Sequence, residues 1–311
     1  MSVHKTIETY PSVDGKHSIR CYLYEPEDPP KAILQITHGM CEYLERYEAF
    51  AEYLCGRGFA VCGSDHLGHG PLALEAGELG YFAPKDGWKL LPQDVHQLTV
   101  RMKKRYPNLQ YFLLGHSMGS FVARYYLELY GKELDGAVIM GTSGGNPFAG
   151  VGVRLAEREI RRHGAFYRSG LLNNLSMGSN NNRFRAEQDP DSWLTRDEEI
   201  RHAYGKDPLC SFIFTAAGFR DLFSLLRHVS RPEWARNVPK GLPVLLTSGG
   251  EDPIGGYGKG VRKVYERLKE AGVADVTLKL YEGDRHEILN EINREEVYRD
   301  LGDYLESKMP V

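Results

Sequence analysis

Three residues far apart in the chain carry the side chains that cleavage of an acyl bond needs: a hydroxyl at Ser117, a carboxylate at Asp252 and an imidazole at His286. Ser117 lies in Gly115-His116-Ser117-Met118-Gly119, between the apolar run "QYFLLGH" and the helix-like "MGSFVARYYLELYG". A serine hydroxyl is a weak nucleophile until a base within hydrogen-bond reach takes its proton, and a carboxylate must orient that base. Such a serine belongs on a sharp strand-to-helix turn, followed in the chain by the acid and then by the histidine. "VLLTSGGEDPIGG" supplies Asp252, with Glu251 beside it as a possible substitute, and "LKLYEGDRHEILNE" supplies His286 just after the last predicted strand.

Gly-x-Ser-x-Gly alone is weak, because Gly141-Thr142-Ser143-Gly144-Gly145 matches it too. Context separates the two. Ser143 runs into Gly144-Gly145-Asn146-Pro147, which a helix would not tolerate, so Ser143 reads as a loop residue. Acyl transfer also requires donors for the developing oxyanion, worth about 3 to 4 kcal/mol each. The backbone N–H of Met118 is one; that of Met40, behind Gly39 in "QITHGMCEYLERY", is the other.

The remaining polar residues of these motifs have blander readings. His66 and His69 in "DHLGHG" lack the accompanying carboxylates or cysteines of a metal site and read as a structured loop. His38 reads as a hydrogen-bonded support for the Gly39 loop. Asp65 and Asp94 precede Ser117 and read as loop and helix residues.

These residues need a scaffold that brings loop ends together. Short apolar runs, "KAILQITHG", "FAVCGSDH", "QYFLLGHS", "LDGAVIMGTS", "LPVLLTSGG" and "VTLKLYEGD", alternate with helical patterns at about 44–56, 88–106, 118–131, 258–272 and 286–306. Parallel strands covered on both faces have this signature. "HSIRCYLYEP" alternates like a half-buried antiparallel strand and is expected to pair with residues 4–11. Residues 144–240 contain no convincing parallel strand, carry thirteen arginines and have a positive balance against a negative remainder. They read as a helical insertion into an α/β core formed by 1–143 and 241–311.

Composition narrows the classes. The chain has 311 residues, 41% hydrophobic and 26% charged, with formal net charge -3, a pI near 6.4 and mean hydropathy -0.43. A protein built to neutralise phosphates would show a basic excess, so nucleic acid is not expected as a partner. Five cysteines, odd in number and without C-x-x-C spacing, signal neither a disulfide framework nor a zinc site. With no signal-like or membrane-length apolar segment, a cytoplasmic location is expected.

"THGMCEYLERY", "DHLGHG", "FLLGHSMGS", "GGEDPI" and "EGDRHEILNE", in this order, resemble the α/β-hydrolase superfamily, in its monoacylglycerol lipase, lysophospholipase and serine-aminopeptidase-like branch. "DPDSWLTRDEEIRHAYGKDPL" and "FTAAGFRDLF" resemble that branch's cap. The resemblance implies a mostly parallel sheet of about eight strands, a helical cap at 144–240, Ser117 as nucleophile, Asp252 as acid, His286 as base, and Met40 and Met118 as oxyanion donors. It implies no metal or organic cofactor. Ser120 and Pro71 depart from the common pattern, which has Gly and Ser there. The expected substrates are single-chain acyl esters such as monoacylglycerols or lysophospholipids. A serine aminopeptidase with the same triad and a non-catalytic ligand-binding protein on this scaffold are the alternatives. Arg154, Arg158, Arg161, Arg162 and Arg168, set among apolar residues, suggest transient contact of the cap with a lipid surface.

Overall fold

A computed structural model describes residues 3–310. Eight strands form one sheet: β1 (Val3–Pro11), β2 (Ser18–Pro26), β3 (Ala32–Thr37), β4 (Phe59–Ser64), β5 (Gln110–His116), β6 (Gly136–Met140), β7 (Val244–Gly249) and β8 (Val276–Tyr281). Their spatial order is β1-β2-β4-β3-β5-β6-β7-β8. β1 pairs antiparallel with β2 and β2 with β4, while all pairs from β4 to β8 are parallel. This is the α/β-hydrolase fold class expected from the strand and helix signals.

Strand periodicity builds two cores. On β5, Tyr111 and Leu113 enter one core while Phe112 and Leu114 enter the other, as the alternation of side chains in a strand dictates. On one face the cover is α1 (Glu48–Gly56) and α11 (Arg294–Ser307), through Phe50, Leu54, Val297 and Leu301. On the other lie α3 (Gly87–Arg105), α4 (Met118–Tyr130) and α10 (Lys259–Glu270), through Leu91, Val95, Val122 and Val264. Each Leu, Val or Phe buried in this way stabilises by roughly 1.5–3 kcal/mol.

Between β6 and β7 the chain forms α5 (Ala149–His163), α6 (Gly170–Met177), α7 (Glu198–Lys206), α8 (Ala216–Ser230) and α9 (Glu233–Asn237). No strand is assigned there. α5 packs along α8, and α8 in turn packs on α3 and α4, so α8 belongs as much to the core layer as to the inserted segment. Arg124 of α4 is wholly buried and reaches both ends of the insertion: its guanidinium donates to the carbonyls of Ser143 (2.9 Å) and Val229.

One helix expectation needs correction, and one short helix adds to the expected elements. The added helix is α2 (Gly70–Glu75), which starts on the last residue of "DHLGHG" and has Pro71 in its first turn, where the fixed φ of proline fits. The final helix does not begin at 286 but at Arg294, preceded by a 3-10 turn at Ile288–Asn290. Residues 285–287 are instead held open by the inserted segment. His286 N–H donates to Trp193 O (3.3 Å) and Glu287 N–H to Leu194 O (2.7 Å), while Arg285 N–H donates to the buried Glu291 carboxylate (2.8 Å).

Candidate active site

The turn from β5 into α4 gives Ser117 a φ of 54 and ψ of -121, an uncommon backbone state for a residue with a side chain. Its glycines make the close approach possible. A Cβ on Gly119 would run into the carbonyl oxygens of Thr37 and His38, and one on Gly115 would meet the Gly119 carbonyl and Ala123 Cβ. Ser120 is fully buried and its hydroxyl donates to Ser117 O (2.5 Å), bracing the same turn.

The parallel sheet delivers the other two groups to this turn from loops after later strands. Ser117 Oγ lies 2.8 Å from His286 Nε2, and His286 Nδ1 lies 2.9 Å from Asp252 Oδ1. Asp252 is 0% and His286 2% exposed. Asp252 is further held by Ser248 Oγ–H to Oδ2 (2.7 Å) and Ile254 N–H to Oδ1 (2.8 Å). Burial pushes its carboxyl up, but His286 and these hydrogen bonds outweigh burial and hold it below the ordinary value, so it stays ionised. Glu251 turns away to pair with Arg183 (2.8 Å).

Met40 and Met118 both line the cavity over Ser117, a space of about 200 Å³. Phe121 of α4, Leu175 of α6 and Leu222, Phe223 and Leu226 of α8 supply apolar walls, while Glu42, His116, Tyr204 and Glu287 supply polar ones. Ser143, of the second Gly-x-Ser-x-Gly, sits in the irregular loop after β6, where its Oγ accepts Gly145 N–H (3.2 Å).

The histidines of the flanking motifs hold loops together. His38 Nε2 accepts His66 N–H (3.0 Å), His66 Nε2 meets Thr37 Oγ1 (2.9 Å), and His69 Nδ1 donates to Leu67 O (3.1 Å). Burial lowers all three, His69 to about 3, which keeps these rings neutral. Among the described residues no group of three or more His, Cys, Asp or Glu could hold a metal ion. Asp65 accepts Leu44 N–H and Tyr22 O–H, and Asp94 accepts Val13 N–H and Ser12 O–H, both in loop-fastening positions.

A buried charge network stands behind the Gly39 loop, and sequence reasoning missed it. The Glu42 carboxylate accepts Gly39 N–H, Tyr47 O–H (2.8 Å) and Arg46 Nη1–H (3.0 Å), and meets His116 Nδ1 at 3.2 Å. Arg46 then grips Glu287 with both terminal nitrogens (2.8 and 2.7 Å), tying the loop after β3 to the residue next to His286. Burial alone pushes Glu42 up and His116 down; their contact reverses both, lowering Glu42 and raising His116, as for an ion pair. Glu42 and Arg46 stand four apart in "EYLER" within "CEYLERY", a signal that charge patterning could have caught. Nothing local marks Glu287 as their partner.

Known proteins resemble this chain along nearly its whole length. Human monoglyceride lipase is 30% identical over 285 residues, 90% of this chain and 83% of the human protein. The monoacylglycerol lipase of Mycolicibacterium smegmatis is 26% identical, with 92% of each chain covered. Among solved structures, a thermostable carboxyl esterase from Bacillus coagulans superposes with a TM-score of 0.91 at 30% identity, covering 97% of this chain and 98% of the esterase. The family model described as serine aminopeptidase, S33, matches residues 28–293. With that match laid over the eight-stranded sheet and the Ser117 turn, the chain belongs to the serine aminopeptidase S33 family of α/β-hydrolases.

Proposed function

We propose that the protein is a serine carboxylic-ester hydrolase acting on single-chain acyl esters, monoacylglycerols and lysophospholipids among them, with residues 144–240 as its cap. The observation that carries this reading is the unbroken chain of contacts from Ser117 Oγ through the His286 ring to Asp252, set against an apolar cavity. Ser117 attacks the ester carbonyl while His286 Nε2 takes its proton. Asp252 keeps the Nδ1–H tautomer and offsets the imidazolium charge. The N–H groups of Met40 and Met118 receive the oxyanion. His286 then protonates the departing alkoxide, and the acyl-enzyme is released when water, deprotonated by the same ring, attacks it. Every step uses side chains and amides of this chain, so the proposal includes no cofactor.

The similar lipases and esterases support the ester chemistry, and the cavity disfavours the aminopeptidase reading. A substrate α-amino group needs an unpaired carboxylate, whereas Glu42 and Glu287 are both engaged by Arg46. The partners proposed are the ester substrate and, transiently, a lipid surface met by the cap; nucleic acid is not among them. No helix among the described residues is long and apolar enough to cross a membrane. Five buried, unpaired cysteines suit the reducing cytoplasm, where the proposal places the protein.

A fluorophosphonate probe tests the nucleophile: wild type should label and Ser117→Ala should not. Equal labelling of the two, or none of wild type, would overturn the catalytic reading in favour of a binding protein. Turnover of a monoacylglycerol, a lysophospholipid and an aminoacyl anilide then tests the substrate class, and preference for the anilide would reverse it.

A further inference from the structure

His286 has two rings close to its own. The His116 ring lies 4.8 Å away, centroid to centroid, and the indole of Trp193 lies 5.0 Å away at 33°. Trp193 comes from the inserted segment, between a 3-10 turn at Arg185–Glu187 and α7, and is only 8% exposed. Its placement is fixed rather than incidental. Trp193 O and Leu194 O receive the N–H groups of His286 and Glu287. Trp193 N–H donates to Asn181 Oδ1 (3.1 Å), Arg285 Nη1 to Ser192 O (2.5 Å), and Arg201 Nη1 to Thr195 O (2.9 Å). The loop that carries the indole is therefore clamped by the residue immediately before His286.

An aromatic face carries negative potential and attracts a cation within about 6 Å of its centroid. In the mechanism above, His286 becomes an imidazolium in each transition state. The groups facing it are Asp252, Ser117, His116 with its partner Glu42, and Glu287 with its partner Arg46. Asp252 favours the cation from the Nδ1 side, while a protonated His116, 4.8 Å away, opposes it. Trp193 adds to these an uncharged aromatic ring, whose centroid lies 5.0 Å from that of His286.

We propose that Trp193 is a positioning residue for His286, its indole face holding the imidazole and favouring its cationic form. The proposal rests on the reading of His286 as the base. Trp193 also lines the cavity over Ser117, so KM reports on substrate contact as well; the proposal itself predicts that Trp193→Leu lowers kcat about threefold and moves the acid limb of kcat/KM to lower pH by about half a unit. Trp193→Phe, which keeps a ring, should restore most of both. Fluorinated tryptophans placed at position 193 withdraw electron density at nearly constant shape, so kcat should fall stepwise with fluorine number. They also serve if the leucine variant does not fold.

Protonation of the His286 ring, followed by 15N NMR in wild type and variants, separates this inference from the catalytic reading. Identical ring titration in all of them, with kcat indifferent to fluorination, would overturn the role of Trp193. A ring titration that shifts as expected while the acid limb of activity stays put would uphold Trp193 and remove His286 as the base.

Discussion

At the scale of single residues, Asp252 shows how a loop can decide what a substitution does. Ile254 N–H donates to the same Oδ1 that faces His286, whereas Ser248 Oγ, a hydroxyl free to rotate, faces Oδ2. In Asp252→Asn the amide oxygen should stay on the Ile254 and His286 side, and the NH2 should turn to Ser248. His286 then keeps its Nδ1–H tautomer and loses only the neighbouring charge. The same exchange in a serine protease triad costs about 10⁴ in kcat through the wrong tautomer. Here the expected loss is smaller, about 10²- to 10³-fold, measured as kcat on a saturating ester. A loss of 10⁴ or more would mean that the asparagine sits the other way round. Sequence exposes the order of Ser117, Asp252 and His286 because that order follows from the topology of the sheet. It conceals Ser248 and Trp193, because neither a strand-end serine nor a tryptophan in a charged loop differs locally from many others.

At the scale of elements, strands were the most legible part, since apolar runs bounded by Gly or Asp fit buried parallel strands directly. Less legible was the start of α11. Its periodicity extends back to 286, but contacts from Trp193, Leu194 and Arg196, some ninety positions away, keep residues 285–287 out of the helix. Distant partners also replace a local signal at α3. Asp86, at its N-cap, makes no side-chain cap. The buried Asp221 of α8 faces the Trp88 amide instead, in space that a Cβ on Gly87 would intrude upon. Burial pushes Asp221 from an ordinary 3.8 up to about 6, against the pull of Arg220. The folded state thus holds this proton more tightly than the unfolded one. Stability is greatest below pH 4 as far as this group is concerned, falls as pH rises through 4 to 6, and is level above. Asp221→Asn should remove about 1–3 kcal/mol of that decline. Denaturation midpoints at pH 4, 5, 6 and 7 would show it as a shallower slope than wild type. Asp94 and Asp284 are also pushed up to about 6 and titrate in both proteins, so the difference in slope isolates Asp221.

At the scale of the whole molecule, the segment inserted between β6 and β7 presents an apolar and basic surface beside the cavity over Ser117. Phe148 is 72% exposed, and Val151, Leu171 and Leu175 of α5 and α6 are about half exposed; Leu175 also lines the cavity. On α5, Arg158, Arg161 and Arg162 have no carboxylate within ion-pair distance among the described residues, and Glu159 is taken by Ser169 Oγ (3.0 Å). Apolar side chains next to unpaired guanidiniums suit an interface that is greasy beneath and anionic at its surface. Each arginine near such a surface contributes about 1 kcal/mol. Replacing Arg158, Arg161 and Arg162 with Gln should therefore weaken co-sedimentation with vesicles rich in phosphatidylglycerol about 100-fold, and leave neutral phosphatidylcholine vesicles nearly unaffected. Phe148→Ser with Leu171→Ser should weaken both, because it removes the apolar part. Hydrolysis of a dissolved short-chain ester reports on Ser117 alone and should be preserved in both variants. If none of the three expected losses of vesicle binding appeared, substrate would have to reach the cavity from solution rather than from a surface.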